Sequence, residues 1–188
     1  MEAFLVSTGV VALAEIGDKT QLLALVLAAR FRKPVPIILG TLAATLLNHA
    51  LAGAAGRFVA NLIGPAAMRW ILGISFIAMA VWTLIPDRLD DKEQSQPSRF
   101  GPFLTTLVAF FVLEMGDKTQ IATVALAAQY ASLVGVVAGT TLGMMIANVP
   151  VVLLGNGMAK RLPLRVVHGI AAAIFLVMGL VVLVSPML

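Results

Sequence analysis

Cysteine is absent from the 188-residue chain, and histidine occurs only twice. Disulfide bridges and thiolate metal sites are therefore excluded, and a site built from several imidazole ligands is not expected. Charged residues are also scarce, at 12% of the chain, whereas a soluble domain carries about 25%. No glycine-rich phosphate-binding loop is present, so we expect neither a nucleotide-driven pump nor an enzyme.

Apolar residues dominate what remains. They make up 60% of the chain, and the mean hydropathy is +1.01. Six apolar stretches are close to or above the roughly 20 residues that a helix needs to cross a bilayer. We therefore predict an all-α membrane protein with six transmembrane helices, tilted or broken where the stretches are longest. The stretches are Ala3–Ala29, Val35–Ala60, Arg69–Pro86, Phe103–Gln129, Ser132–Met158 and Arg165–Ser185.

One heptapeptide occurs twice, at a spacing of 99 residues. Glu15–Gln21 reads EIGDKTQ, and Glu114–Gln120 reads EMGDKTQ. The same shift aligns residues elsewhere, including Gly40 with Gly139. A single ungapped shift that serves all three helices of each half indicates an internal duplication.

The duplication predicts the domain organisation. Residues 1–86 form a first three-helix repeat and residues 101–188 a second, and together they make one membrane domain. Residues 87–100 form a polar, charged linker between the repeats. Because each repeat has three helices, the second enters the membrane in the opposite orientation, which is the inverted-repeat plan of many secondary transporters.

Basic residues predict the orientation of the chain. If the N-terminus is outside, nine of the eleven loop lysines and arginines lie at cytoplasmic ends, as the positive-inside rule requires. We therefore expect both termini outside and the linker in the cytoplasm. The net charge of +4 has the same explanation, and no nucleic-acid partner is expected. The nine residues are Arg30, Arg32, Lys33, Arg88, Lys92, Arg99, Lys160, Arg161 and Arg165.

Both copies of the heptapeptide place charge at the centre of an apolar stretch. Glu15 lies about 12 residues into its segment, or about 18 Å at about 1.5 Å per residue. Charge at that depth costs a few kcal/mol, so it is kept for a function or neutralised by a partner. Residues three apart share a helix face, so Glu15 and Asp18 point the same way, as do Glu114 and Asp117. We predict that these four carboxylates are cation ligands and proton acceptors.

Further polar residues fall at a similar depth in the first and second helix of each repeat. They supply amide, hydroxyl, imidazole and ammonium groups beside the four carboxylates. Each Glu stands four residues before a Lys, which allows a Glu15–Lys19 or Glu114–Lys118 ion pair. The predicted supporting residues are Lys19, Thr20, Gln21, Asn48, His49, Lys118, Thr119, Gln120 and Asn148.

This set of potential ligands is rich in oxygen. Ca²⁺ and Mn²⁺ prefer carboxylate, carbonyl and hydroxyl oxygen, whereas Zn²⁺ and Cu⁺ prefer imidazole or thiolate. Four acids and two lysines sum to a charge of −2, which matches one divalent cation. Crowded carboxylates at low dielectric resist full ionisation without a cation, so the same groups can hold protons instead. The residues thus predict exchange of a divalent cation for protons across the lipid bilayer, with no bound cofactor.

The doubled motif E-x-G-D-[KR]-[TS], in a chain of two three-helix repeats, resembles the signature of a known transporter family. That family comprises manganese and calcium transporters of bacterial plasma membranes, chloroplasts and the Golgi. The resemblance covers essentially the whole chain, and both motifs match in full. It implies a secondary transporter of the bacterial plasma membrane that exports Mn²⁺, with Ca²⁺ as the second candidate, in exchange for protons. The choice of manganese comes from this resemblance and not from the ligand chemistry.

Other interpretations of the same residues stay open. The acids and lysines could pair within each helix and fix packing alone. A passive divalent-cation channel would use the same acids, whereas an exporter of small organic cations or amino acids would favour an aromatic pocket that the sequence does not show. A scaffold role leaves the duplicated acids unexplained. His49 is a candidate proton carrier or a packed polar residue, and His168 is predicted to lie at the membrane interface.

Overall fold

The computed structural model describes residues 1–85, 100–154 and 164–184. These residues form eight α-helices and, within those ranges, no β-strand. The linker predicted at 87–100 lies outside the described residues except for its last residue, as do the predicted helix ends at Pro86, Met158 and Ser185. The helices are α1 (Glu2–Glu15), α2 (Lys19–Phe31), α3 (Pro34–Leu62), α4 (Pro65–Thr83), α5 (Pro102–Glu114), α6 (Lys118–Gln129), α7 (Leu133–Leu154) and α8 (Leu164–Val184).

Two of the six predicted helices are each divided into two half-helices. The first is interrupted after α1, where Ile16 is extended and Gly17 adopts a φ of +84°. Asp18 then begins α2 as its N-cap, with its carboxylate accepting a hydrogen bond of 3.4 Å from the Thr20 amide. Glycine adopts a positive φ without the steric cost that other residues meet, and aspartate is a favoured N-cap.

The second interruption has nearly the same backbone dihedral angles as the first. Met115 has φ −64° and ψ 116°, close to the φ −64° and ψ 118° of Ile16. Gly116 has a φ of +79°, and Asp117 begins α6 in the same extended conformation as its counterpart in the first half. The long stretches Ala3–Ala29 and Phe103–Gln129, for which tilted or broken helices were predicted, are thus broken, because the motif itself contains the residues that end one helix and start the next.

Four of the eight helices are long and apolar enough to cross a membrane: α3, α4, α7 and α8. Proline occupies the first turn of α3 and α4, where its missing amide hydrogen costs nothing. Large apolar side chains such as Phe58 and Leu153 face outward, which is typical of a surface in contact with lipid. The four half-helices, by contrast, are 12 to 14 residues long.

Close helix contacts join the two halves of the chain. The half-helix α1 packs on α7, and α5 packs on α3. A Cβ atom at Gly40 would lie only 2.7 Å from the Phe103 carbonyl oxygen, and one at Gly139 would collide with the Phe4 carbonyl. Both glycines and both phenylalanines are related by the 99-residue shift, so the same small-residue contact is made twice.

The last helix of each half forms a further pair. Helices α4 and α8 pack against each other along their length. The rings of Phe76 and Phe175, also 99 residues apart, stack with centroids 6.4 Å from each other. Helices α3 and α7 lie against each other and against the half-helices, and the acids of both motifs are buried among these helices.

Candidate cation site

Each interruption is held in shape by a glutamine of its own motif. The Gln21 side-chain oxygen accepts a hydrogen bond of 2.9 Å from the Gly17 amide, and Gln120 accepts one of 2.7 Å from Gly116. These amides have no helical partner, because the chain is unwound there. Both glutamines therefore stabilise the interruptions, and their supporting role in cation binding stays a prediction.

The four predicted carboxylates are all buried at the interruptions. Glu15 and Glu114 end the first half-helices, while Asp18 and Asp117 begin the second ones. None of the four is more than 3% exposed. Glu15 lies within electrostatic range of the three other acids, including both acids of the second motif. The two motifs therefore contribute to one cluster and not to two separate ones.

Two threonines orient the buried glutamates. The Thr20 hydroxyl donates a hydrogen bond to Glu15 Oε1, and the Thr119 hydroxyl donates one of 3.0 Å to Glu114 Oε2. Each bond spans an interruption, from the start of the second half-helix back to the end of the first. The other carboxylate oxygen of each glutamate, Glu15 Oε2 or Glu114 Oε1, accepts no hydrogen bond from the described residues.

The lysines form ion pairs between the two motifs. Lys118 Nζ lies 2.7 Å from Asp18 Oδ1, and Lys19 Nζ lies 3.2 Å from Asp117 Oδ1. The Glu15–Lys19 and Glu114–Lys118 pairs that the spacing allowed are not the ones the structure forms. Their spacing brings two side chains together only on a continuous helix, and the interruption at Gly17 and Gly116 removes that geometry. The exchanged pairs instead connect the first half of the chain to the second.

Polar residues of the long helices approach the cluster in different ways. The Asn48 amide donates a hydrogen bond of 3.0 Å to the Phe111 carbonyl on α5. Gln21 donates one of 2.9 Å to the carbonyl of Ala147, the residue before Asn148. Asn148 donates back to Met144 within its own helix. These bonds align α3 with α5 and α2 with α7 around the interruptions.

His49 is buried beside Asn48, and neither ring nitrogen has a hydrogen-bond partner among the described residues. It is therefore placed as a packed polar residue of α3, and it makes no hydrogen bond with the motif residues in this conformation. Its role as a proton carrier stays a prediction.

Several buried oxygens of the cluster accept no hydrogen bond from the part of the chain that the structure describes. They are Glu15 Oε2, Glu114 Oε1, Asp117 Oδ2, Asn48 Oδ1 and Asn148 Oδ1. Buried oxygen without a donor is costly, and a hard cation is one partner that satisfies such atoms. Within residues 1–85, 100–154 and 164–184, however, no three acidic or histidine side chains converge as a ready metal-binding group. The lysine ammonium groups lie on two of the four carboxylates instead.

His168 reaches the first interruption, which the sequence did not indicate. Its Nε2 atom lies 2.8 Å from the Ile16 carbonyl, to which it donates a hydrogen bond. Helix α8 runs beside α1 and brings the ring to the motif, whereas the interfacial position expected of this histidine stays a prediction. The one signal available in the sequence is that the 99-residue shift pairs His168 with another basic residue, Arg69.

Polar contacts connect neighbouring helices at one end of the bundle. The Arg57 guanidinium donates to the carbonyls of Tyr130, at 3.3 Å, and Ala131. The Tyr130 hydroxyl hydrogen bonds to Glu2 at the start of α1. Burial, and after it the nearby Glu2 carboxylate, raise the pKa of the Tyr130 hydroxyl above its usual range. These contacts join α1, α3 and the connection between α6 and α7.

Apolar helices around a cluster of buried carboxylates are typical of membrane transporters of cations. The chain matches the model of the family described as "Divalent cation/proton antiporter GDT1" over residues 3–91 and 102–187. It belongs to this family. The match includes both copies of the motif and confirms the resemblance drawn from the sequence.

Individual relatives agree with the family assignment, and no enzyme family is indicated. A Vibrio cholerae protein named "Putative manganese exporter" is 53% identical over 181 residues, which cover 96% of this chain and 90% of that protein. GDT1-like protein 5 of Arabidopsis thaliana is 28% identical over 99% of this chain and 97% of its own length. A GDT1-like protein of Synechocystis is 29% identical over 96% of both chains. No solved structure is significantly similar to the chain.

Proposed function

We propose that this protein is a secondary transporter that exports Mn²⁺ from the cytoplasm in exchange for protons, with Ca²⁺ as the alternative cargo. The observation that carries the proposal is the buried cluster in which each aspartate of one motif pairs with the lysine of the other. Such a cluster already holds cationic groups on carboxylate oxygens, so a divalent cation can replace them without new chemistry. The name of the Vibrio relative supports manganese as the cargo.

The proposed topology has six membrane crossings in two inverted three-helix repeats. The pairs α1–α2 and α5–α6 each make one broken crossing, and the four long helices make the others. Reciprocal packing of α1 on α7 and α5 on α3 supports a two-fold relation between the halves. Residues 1–86 and 101–188 are then the repeats, and their interruptions meet at the midplane, where inverted-repeat transporters bind their cargo.

Cation and protons compete for the same carboxylates in this mechanism. When Mn²⁺ enters, Glu15, Asp18, Glu114 and Asp117 contribute oxygens to it, and the ammonium groups of Lys19 and Lys118 withdraw. When Mn²⁺ leaves, ionised acids would repel one another in the dry interior, so the glutamates take up protons. Exposing the cluster to one side at a time then couples the two flows.

The proposed site of action is the plasma membrane of a bacterium, with both termini outside and the linker at 87–100 in the cytoplasm. The basic residues at the cytoplasmic helix ends support this orientation. The cysteine-free chain makes a direct test simple. In intact cells, a membrane-impermeant maleimide should label Gly64→Cys, in the exposed turn before α4, and should label Ser95→Cys of the linker only after the membrane is opened. The reverse pattern would overturn the orientation.

Cation flux with and without a proton gradient tests the function. Proteoliposomes would receive Mn²⁺, Ca²⁺, Mg²⁺ or Zn²⁺ outside while a trapped dye reports the internal pH. We expect Mn²⁺ entry to make the lumen more alkaline, because protons leave in exchange. A passive channel would admit the ion without that pH change, and an exporter of organic cations would show no metal flux at all.

A further inference from the structure

The two interruptions have the same backbone conformation but different surroundings. Ile16 and Gly17 are partly covered, and His168 donates its 2.8 Å hydrogen bond to the Ile16 carbonyl. Met115, at the matching position, is 61% exposed, and a Cβ atom added at Gly116 would meet nothing within 4 Å. Equal local sequences therefore lie in unequal environments, which indicates that one interruption is covered and the other is open.

The residue that would cover the open interruption is Arg69. It precedes His168 by 99 residues, as Ile16 precedes Met115. The Arg69 Nε atom is buried and has no hydrogen-bond partner among the described residues, and its guanidinium carbon lies 6.0 Å from the Trp70 ring centroid. A buried donor without an acceptor is unfavourable, so a conformation that gave Arg69 an acceptor would be favoured by that hydrogen bond.

The helix pair α4–α8 carries both residues and leans to one side of the bundle. Helix α8 packs on α1, and α4 packs on α6, whereas α8 scarcely touches α2 and α4 scarcely touches α5. In the proposed topology α1 and α6 are the outer half-helices, so the pair closes the outer side. The contacts of Arg57 and Tyr130 tie that same end, and the positions that match Tyr130 and Glu2 are Phe31 and Gly101, which cannot form such a bond.

Helix α4 borders an apolar cavity. This cavity of about 70 Å³ lies between α3, α4 and α6 and is lined by Met68, Leu72 and Ala125, among others. The α4–α8 contact itself is made largely by apolar side chains such as the stacked Phe76 and Phe175. A movement of α4 and α8 as one unit would preserve this apolar contact and would break the hydrogen bond from His168 to the Ile16 carbonyl.

We propose that His168 and Arg69 are alternating positioning residues, each holding the carbonyl of one interruption when the α4–α8 pair closes its side. In the present conformation His168 holds Ile16. In the opposite conformation, reached by exchanging the roles of the two halves, Arg69 donates to the Met115 carbonyl and His168 releases Ile16. The assignment of sides and the exchange between the two carbonyls both rest on the inverted repeats of the proposed function.

A labelling experiment on the cysteine-free, full-length chain tests this exchange. Ile16→Cys and Met115→Cys are separate reporters that keep the main-chain carbonyls, and a membrane-impermeant maleimide is applied to open membranes. Without further change, Met115→Cys should react quickly and Ile16→Cys slowly. Adding His168→Ala should speed labelling of Ile16→Cys and slow that of Met115→Cys by about threefold to tenfold, the range for one hydrogen bond. Adding Arg69→Ala should shift both rates the opposite way.

Two further variants separate positioning from folding. His168→Gln keeps a side-chain amide donor and should restore the labelling ratio, and each variant is checked for a monodisperse elution profile. If His168→Ala does not fold, the ratio of Ile16→Cys to Met115→Cys labelling rates in the Arg69→Ala and His168→Gln variants tests the proposal instead. The proposal is overturned if Met115→Cys is unreactive, or if the alanine variants shift the two rates in the same direction or not at all. Labelling needs neither Mn²⁺ nor a pH gradient, so it is independent of the transport assay. If the protein exchanges Mn²⁺ for protons normally but the alanine variants leave the labelling rates unaltered, this inference is rejected and the proposed function is not.

Discussion

Replacing Lys118 by methionine removes the more buried of the two ion pairs between the motifs. Lys118 is 2% exposed and Asp18 is fully buried, with 2.7 Å between their charged atoms. Removing one partner of a buried ion pair costs about 3–5 kcal/mol. For a chain of this size that corresponds to a fall of about 6–20 °C in the melting temperature. The variant should therefore unfold well below the unmodified protein in detergent.

Lys19→Met is the matched control. Its ammonium group is 21% exposed and lies 3.2 Å from Asp117 Oδ1, so water can partly replace it. We expect a smaller loss, of about 1–3 kcal/mol. Thermal unfolding of both purified variants in one detergent, followed by light scattering or circular dichroism, gives the comparison.

The double variant Asp18→Asn/Lys118→Met gives the sharper result. Removing both members of a buried ion pair is often close to neutral, whereas removing one is not. The double variant should therefore melt at a higher temperature than Lys118→Met alone, although it should not transport. The single variants Asp18→Asn and Lys118→Met are measured beside it. If the loss of stability in the double variant equals the sum of the losses in these two, Lys118 and Asp18 are not coupled, and the pairing between motifs is wrong.

Two other predictions concern the local geometry of the motif. Gly116→Ala should destabilise the protein by about 1–2 kcal/mol, because its φ of +79° strains any other residue although space is available, whereas Gly9→Ala in the interior of α1 should stabilise it by about 0.5–1 kcal/mol. Equal melting temperatures for the two alanine variants would exclude a strained turn. Thr119→Val should weaken Mn²⁺ binding about tenfold or more in isothermal titration, because Glu114 loses an orienting donor. Thr123→Val, which removes a hydroxyl bonded only to a backbone carbonyl, should leave Mn²⁺ binding within about twofold.

Helix positions and the location of buried charge could be predicted from the sequence, because both depend on local composition. Four apolar stretches each correspond to one helix and two correspond to pairs of half-helices, and the four acids of the motifs are buried. The interruptions were less predictable. Gly17 permits a positive φ but does not require one, so the glycine alone could not distinguish a broken helix from a close helix crossing.

Contacts between residues far apart in the chain could not be predicted from the sequence. The Lys118–Asp18 pair depends on how the two halves dock, and the spacing within one helix favoured a different partner. The His168 contact spans 152 residues and follows from the course of α8 beside α1. Periodicity indicates which face of a helix is apolar, but it does not indicate which neighbour covers that face.

The central claim is that both motifs form one site, and proton-coupled Mn²⁺ flux in proteoliposomes tests it most directly. Asp18→Asn and Asp117→Asn each alter one motif, and Asp90→Asn, in the linker, is the control for loss of an acid elsewhere. Either motif variant alone should reduce Mn²⁺ entry and the rise in internal pH to the level of empty liposomes, while Asp90→Asn transports normally. If either motif variant keeps about half of the flux with intact proton coupling, each motif works independently, and the single shared site is contradicted.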